Sequence, residues 1–289
     1  MQNHLRKIYV KRRKEKTPVA DKIRADLALV QQHLCESRER AQAAIMEGRV
    51  FVGERRINKA SESIGSLDVL TLKSPENEYV SRGALKLEKA VRVFDADLRD
   101  RVIMDIGSST GGFTDVCLRN GARKVYSIDV GYGQLDWKLR NDPRVTVMER
   151  TNARFLESSM FSEKPEITVM DVSFISIRLI LPAAAGIMGD QGVFYTLIKP
   201  QFEAGRENVG KNGVVRDPEI HRSVITNITT FTEKMGWCTV KLDYSPITGP
   251  KGNIEFLAEI RKQDGSRTGV TADRIHTVVN EAHESMIHS

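Results

Sequence analysis

Glycine placement between residues 104 and 113 constrains this chain more than any other feature. The stretch Met104-Asp105-Ile106-Gly107-Ser108-Ser109-Thr110-Gly111-Gly112-Phe113 follows an apolar run, Val102 to Met104, and leads into a helix-like segment from Phe113 to Asn120. A second apolar run, Val125-Tyr126-Ser127-Ile128, ends on an acid, Asp129. Glycines at a strand-to-helix turn let a ligand approach the backbone closely, and a carboxylate about 20 residues further on can hold a ribose diol. The order here is G-x-x-x-G-G rather than G-x-G-x-x-G. A pyrophosphate wants the tighter turn. The wider loop suits a ligand without phosphate, S-adenosylmethionine, with Asp105 able to meet its amino group. The bland alternative is an ordinary α/β turn that binds nothing.

The rest of the chain supports a sheet built on that loop. Apolar strands are expected at Val102–Ile106, Val125–Asp129, Val145–Met148, Ile167–Val172, Val193–Lys199, Cys238–Tyr244 and Ile254–Ile260. Helices are expected near Phe113–Asn120, Leu135–Arg140, Ile175–Met188 and Pro218–Lys234, with an amphipathic one over Ser81–Phe94 and a terminal one from Thr271 to Ile287. Strands alternating with helices predict an α/β, Rossmann-like, doubly wound and mostly parallel sheet of seven strands. The last two strands have no helix between them, so they read as an antiparallel hairpin at one edge. Ligands of such sheets sit at the C-terminal ends of the strands. Asp105, Asp129, Asp171 and Lys199 all fall at or near such ends, and Asn152 follows the third strand closely. A loop from Lys199 to Asp217, rich in Gly and Asn, is a candidate lid or substrate clamp.

Ahead of this lies a small α+β module. Ala25–Leu34 and Ser37–Gly48 read as two short helices, the second capped by Ser37. Strands follow at Val50–Val52, around Ile57 and at Val69–Leu72, with Gly53-Glu54-Arg55-Arg56 as a turn. Arg38, Arg40, Arg49, Arg55 and Arg56 crowd the second helix and the turn, which suits a compact RNA-binding unit. Charge points the same way. Residues 1–23 hold eight Lys and Arg against Glu15 and Asp21, which accounts for the whole net charge of +6. A basic arm is a nucleic-acid contact or a solubilising tail. The expected organisation is a basic tail (1–23), the RNA-binding module (24–73), a polar linker (74–80), the Rossmann-like α/β unit (81–262) and a C-terminal helix and tail (263–289).

Several classes are disfavoured. No apolar run reaches the roughly 18 residues of a spanning helix, and no apolar stretch follows the basic N-terminus as a secretory signal requires. Cys35, Cys117 and Cys238 are scattered, odd in number and without C-x-x-C spacing, which fits a reduced, cytoplasmic setting and no zinc site. The segment Gly205–Asn212 (G-R-E-N-V-G-K-N) nearly matches a phosphate-binding loop, but Asn212 lacks the hydroxyl that holds magnesium. No G-x-S-x-G elbow is present.

Four stretches in order resemble the hemolysin A (TlyA) family of ribosomal-RNA 2'-O-methyltransferases, itself similar to the FtsJ-type enzymes. They are Tyr79–Leu87 (YVSRGALKL), Asp105–Phe113 (DIGSSTGGF), Asp171–Ser176 (DVSFIS) and Leu197–Glu203 (LIKPQFE). The resemblance covers residues 24 to about 262. It implies an S4 RNA-binding module at 24–73 and S-adenosylmethionine as cofactor, with ribosomal RNA or a ribosomal subunit as partner. It also implies a Lys-Asp-Lys-Glu tetrad on Lys86, Asp171, Lys199 and Glu255, and no metal. In such a tetrad Lys199 would take the 2'-hydroxyl proton, its pKa lowered by burial and the like charge of Lys86, with Asp171 and Glu255 orienting the lysines. The basic tail departs from the pattern, whose members usually begin close to the S4 module. Two other classes compete: a catalytically silent S4-type RNA-binding protein, and a cytolysin, since relatives carry the hemolysin name.

Overall fold

In the computed structural model, which describes residues 22–66, 68–72 and 79–287, the chain divides between Glu78 and Tyr79 into two units. Residues 1–21 of the basic tail and most of the 74–80 linker lie outside the described residues, whereas Lys22 and Ile23 belong to the first strand.

The smaller unit runs β1 (Lys22–Arg24), α1 (Ala25–Gln31), α2 (Arg38–Met46), β2 (Val50–Val52), β3 (Arg55–Arg56), β4 (Ser63–Gly65) and β5 (Leu70–Leu72). Its small residues let α1 and α2 approach closely: Ala25, Ala28, Ala41 and Ala44 are all buried, against Leu29, Ile45, Val50 and Ile57. Ser37 caps α2 by accepting from the Arg40 amide at 3.3 Å. Asp26 is buried beneath α2 and ties it to the start of α1. It accepts from Arg24, Arg38, Gln42 and the Leu27 amide. Arg55 and Arg56, read from the sequence as part of a turn, form a strand paired with Val52 and Phe51. The antiparallel pairing of β1 with β4 was not visible in the sequence, because three-residue strands carry too little alternation to register.

In the larger unit the strands are β6 (Val102–Ile106), β7 (Lys124–Ile128), β8 (Val145–Met148), β9 (Ile167–Met170), β10 (Val193–Ile198), β11 (Trp237–Tyr244) and β12 (Phe256–Lys262). They form one sheet in the order β11-β12-β10-β9-β6-β7-β8. The first five are parallel to one another, and β12 runs antiparallel between β10 and β11. The expected edge hairpin is therefore present. Every residue of β6, β9 and β10 is buried, as a central parallel strand covered on both faces demands. Alternate side chains feed two separate cores. Ile103, Val125 and Val169 pack against α3 (Ala84–Phe94) and α4 (Gly112–Arg119). Met104, Tyr126 and Phe194 face the side of α6 (Leu181–Met188), α8 (Pro218–Lys234) and α9 (Ala272–Ile287).

Two short helices, α5 (Trp137–Arg140) and α7 (Pro200–Glu203), follow β7 and β10. The helix expected over Ile175–Met188 begins only at Leu181, because Pro182 has no amide hydrogen and is accommodated only in a first turn. The segment before it is a tight turn, Ile177–Leu179. Helix α9 buries Ile275, Val278, Val279 and Ala282 in the core shared with α8 and β11. Among the described residues no helix is long and apolar enough to cross a membrane. No helix opens after Gly205–Asn212 to make a phosphate-binding loop; two short turns occupy it, with Asn212 at φ +67°.

Candidate active site

Strand order reverses between β6 and β9, which run out side by side toward their C-terminal ends. That is where a doubly wound sheet opens a crevice. Two cavities lie there. The first, about 340 Å³, is walled by Ile128, Val130, Val172, Ile175 and Ile180, with Asp129, Gln134, Thr151 and Asn152 among its polar groups. The second, about 280 Å³, contains Lys86 and Lys199 and is bounded by Ser108, Thr110, Gly112 and Phe113. Both are lined by Gly107, Ser109, Asp171 and Ser173, so these four residues form their common wall.

The turn after β6 is shaped by protein packing first. Gly107 has φ +84°, and a Cβ there would stand 2.6 Å from the carbonyl oxygen of Asp171. At Gly111, φ +98°, a Cβ would strike Leu139 at 2.2 Å, and at Gly112 it would meet Ser81 Oγ at 2.4 Å. The close approach these glycines permit is thus between loops of the protein itself, and Gly111 lines neither cavity. Asp129 is held by two amides: Ser109 N donates to Oδ2 at 2.8 Å and Gly131 N to Oδ1 at 2.7 Å. Each oxygen keeps a lone pair for a further donor. Asn152 uses its side chain to cap the next turn, accepting from Arg154 N at 3.1 Å.

Asp105, which the sequence suggested as a partner for a ligand amine, lines neither cavity. It is fully buried beneath the loop, where Thr114 Oγ1 donates to Oδ2 at 2.6 Å and Oδ1 has no hydrogen-bond partner among the described residues. Burial pushes its carboxyl up to about 7, against the opposing pull of the Thr114 hydrogen bond. Its position on an all-buried strand is the physical reason for the discrepancy.

Lys86, Asp171, Lys199 and Glu255 come from four separate elements and meet in one ion-pair chain. Lys86 Nζ lies 2.6 Å from Glu255 Oε2 and 3.4 Å from Asp171 Oδ2; Lys199 Nζ lies 2.5 Å from Asp171 Oδ1. Lys86, Lys199 and Glu255 are all buried. Two positive and two negative groups leave the cluster neutral, which is what makes its burial tolerable. Burial pulls the Lys86 ammonium down, but Asp171 and Glu255 more than reverse this, so its pKa is raised. The carboxylate of Asp171 stands between the two lysines and counters the direct repulsion expected between them.

Two further side chains complete the cluster. Lys199 Nζ donates to Ser173 Oγ at 3.0 Å, and Gln201 Nε2 donates to Glu255 Oε1 at 3.2 Å. Both lie inside the DVSFIS and LIKPQFE stretches, so the signal for them was present although no role was read from it. Glu203 binds the two loops together: it accepts from Ser176 Oγ at 2.6 Å and from Ile177 N at 2.8 Å. Beside Ser173, Phe174 is 91% exposed with φ +66°, its ring 5.2 Å from that of Phe202. A bulky residue held exposed in the left-handed region is strained, and such strain is retained mainly at working sites.

On the smaller unit the candidate arginines are exposed except Arg49, which is half-buried. Four have carboxylate partners: Arg38 with Asp26, Arg40 with Glu36, Arg49 with Glu47 and Arg55 with Glu62. The guanidinium of Arg56 lies over Gly48.

Comparison with known proteins fits this geometry. The model of the FtsJ-like methyltransferase family matches residues 79–262, and that of the S4 domain matches residues 23–70. YqxC of Bacillus subtilis (strain 168), provisionally named an rRNA methyltransferase, is 47% identical over 268 residues, covering 92% of this chain and 95% of its own. The 16S/23S rRNA (cytidine-2'-O)-methyltransferase TlyA of Mycobacterium tuberculosis (strain ATCC 25618 / H37Rv) is 38% identical, covering 91% of this chain and 99% of its own. Among solved structures, a Streptococcus thermophilus protein provisionally named a hemolysin superposes with a TM-score of 0.72 at 46% identity, covering 93% of this chain and 98% of that one.

Proposed function

The chain belongs to the FtsJ-like methyltransferase family and groups there with the hemolysin A (TlyA) proteins, and from that premise we propose that it methylates ribose 2'-hydroxyls of ribosomal RNA. One observation carries the reading. The cavity with Asp129 and the cavity with Lys199 share a wall at Gly107 and Asp171, so a methyl donor in one faces an acceptor in the other.

S-adenosylmethionine fits the first cavity: apolar walls suit an adenine, and the free lone pairs of Asp129 suit a ribose diol. Asp129, Asn152, Gly107 and Ser109 would hold it, and when bound it supplies a sulfonium-activated methyl group. The chain's own residues do the rest. Lys199, in its amine form, accepts the 2'-hydroxyl proton at Nζ, and Asp171 Oδ1 stabilises the ammonium that results. Ser173 fixes the direction of Nζ. Lys86, anchored by Glu255, holds the other oxygen of Asp171 and so fixes the carboxylate. Phe174, exposed and lining the first cavity beside Ser173 of the common wall, offers RNA a stacking face. The arginines of the S4 domain dock the RNA by exchanging carboxylate partners for phosphates. A cytoplasmic setting follows from such a substrate, with a ribosomal subunit or its RNA as partner. The alternative readings lose ground on a second observation, since neither a silent RNA-binding protein nor a cytolysin requires the buried ion-pair chain.

The test is a map of ribose methylation on ribosomal RNA from cells with and without this protein. The reading requires at least one 2'-O-methyl position to disappear with the protein. An unchanged map overturns it.

A further inference from the structure

A third and larger cavity, about 660 Å³, adjoins the acceptor pocket. The two share Arg82, Ile247 and Thr248 as lining residues. Its floor is mainly apolar, with Val215, Ile247, Ile254 and Met286 beside the ring of His283, and Arg82 and Arg216 also line it. Both arginines are exposed, and neither has a carboxylate partner among the described residues, unlike four of the five candidate arginines of the S4 domain. Lys251 lies between Pro250, which lines the acceptor pocket, and Gly252, which lines the groove, and its ammonium stands over Gly213.

The lining is rigidly referenced to the tetrad. Asn253, only 3% exposed, accepts from Val215 N at 3.0 Å and donates to Gly213 O at 2.9 Å. It therefore clamps the loop that carries Arg216 to the segment that enters β12 at Glu255. His221, fully buried, hydrogen-bonds the Val215 carbonyl at 3.2 Å from the other side. Arg82 is steadied by the Thr248 carbonyl at 3.3 Å.

We infer that this groove is a binding subsite for the nucleotide next to the one methylated, with its base on the apolar floor and its phosphates on Arg82 and Arg216. The inference rests on the RNA-methyltransferase reading. A mainly apolar floor gives a base a sequence-tolerant contact, while unpaired cations in the lining match a backbone that carries one charge per nucleotide. A groove continuous with the acceptor pocket sets the strand's course, so that the target ribose arrives at Lys199 in one orientation. Asn253 acts here as a positioning residue for Arg216.

The test uses Arg216→Gln and Met286→Glu in the full chain. The substrate is whichever of protein-free rRNA or ribosomal subunits, from cells lacking the protein, the wild type methylates. For Arg216→Gln, loss of one charge-assisted phosphate contact should raise KM for RNA about tenfold, with kcat retained. The slope of log affinity against log salt should shrink by nearly one unit. Met286→Glu, which sets a carboxylate on the floor, should raise KM at least as much. S-adenosylmethionine affinity by calorimetry should stay at the wild-type value in both. A KM within twofold of wild type and an unchanged salt slope for Arg216→Gln, with Lys199→Ala inactive in the same assay, overturn the subsite and leave the proposed function standing. Absence of any methyl transfer to RNA by the wild type overturns both.

Discussion

Lys86→Met removes the central cation of the ion-pair chain while keeping its apolar stem, and its cost can be worked from the geometry. Glu255 is 1% exposed and its Oε2 lies 2.6 Å from Lys86 Nζ. Removing one partner of a buried pair costs about 3–5 kcal/mol, because the other charge is left uncompensated. Gln201 still donates to Oε1, which places the loss toward the lower end. Proton uptake sets a ceiling, since protonating a carboxyl of ordinary acidity at pH 7 costs roughly 3.5 kcal/mol. The expected destabilisation is therefore about 3 kcal/mol at pH 7, shrinking by up to ~1.4 kcal/mol for each unit that the pH is lowered. Adding Glu255→Gln should restore most of it.

Urea unfolding followed by tryptophan fluorescence reads this out on one unit alone, because both tryptophans, Trp137 and buried Trp237, belong to the methyltransferase unit. In the wild type the Lys86 pKa is raised above 10.5, so its contribution is fully present below that pH and fades only as the pH climbs past the raised value. A single variant within 1 kcal/mol of wild type, or a double variant no more stable than the single, refutes the assignment of Lys86 as the compensating charge.

Three other outcomes follow from the same contacts. Asp129→Ala should weaken S-adenosylmethionine binding roughly tenfold or more, the value of a hydrogen bond to a charged acceptor, and an unchanged calorimetric affinity would remove Asp129 from the cofactor cavity. Gly107→Ala forces a Cβ to 2.6 Å from the Asp171 carbonyl at φ +84°, so it should lower Tm and weaken cofactor binding together; wild-type values for both would show that the loop yields. In the S4 domain, the Arg24 guanidinium hydrogen-bonded to Asp26 holds that carboxyl well below its usual range despite burial. Its contribution is present above pH 3.8 and lost as the pH falls below it, so amide exchange in α1 and α2 should accelerate there, and Asp26→Asn should show fast exchange already at neutral pH.

Much of the fold was legible because the central strands are pure. Val102–Ile106 and Val145–Met148 fall on the strands read from the sequence residue for residue, as does the helix Pro218–Lys234, whose Asp217 cap and first-turn proline mark its start. Pro182 carried the opposite warning within the helix expected from Ile175, and it was the proline that decided the boundary. The site was legible only in part. Lys86, Asp171, Lys199 and Glu255 are joined by topology, with 169 residues separating Lys86 from Glu255, and no local spacing encodes that meeting; only the family resemblance supplied it. Asp105 looked like a ligand group because depth within a strand is invisible in a sequence. Of the carboxylates beside the arginines of the S4 domain, Asp26 and Glu62 reach Arg38 and Arg55 only through folding, whereas Glu36 and Glu47 lie four and two residues from Arg40 and Arg49 and were legible as local pairs. Ser173 and Gln201 sat inside motifs quoted whole, where position alone gave no hint of which side chain turns toward a lysine.

The central claim is that Lys199 serves methyl transfer to a ribose hydroxyl of ribosomal RNA. The most direct measurement is a single-turnover reaction with S-adenosylmethionine carrying a labelled methyl group and unmethylated ribosomal RNA or subunits, followed by digestion to nucleosides. The wild type should place the label in a 2'-O-methylnucleoside, and Lys199→Ala should slow that transfer by roughly 10²–10⁴-fold, the usual worth of a general base, with S-adenosylmethionine affinity and RNA affinity unchanged. Label recovered in a methylated base, or a Lys199→Ala protein that methylates ribose at the wild-type rate, would contradict the account.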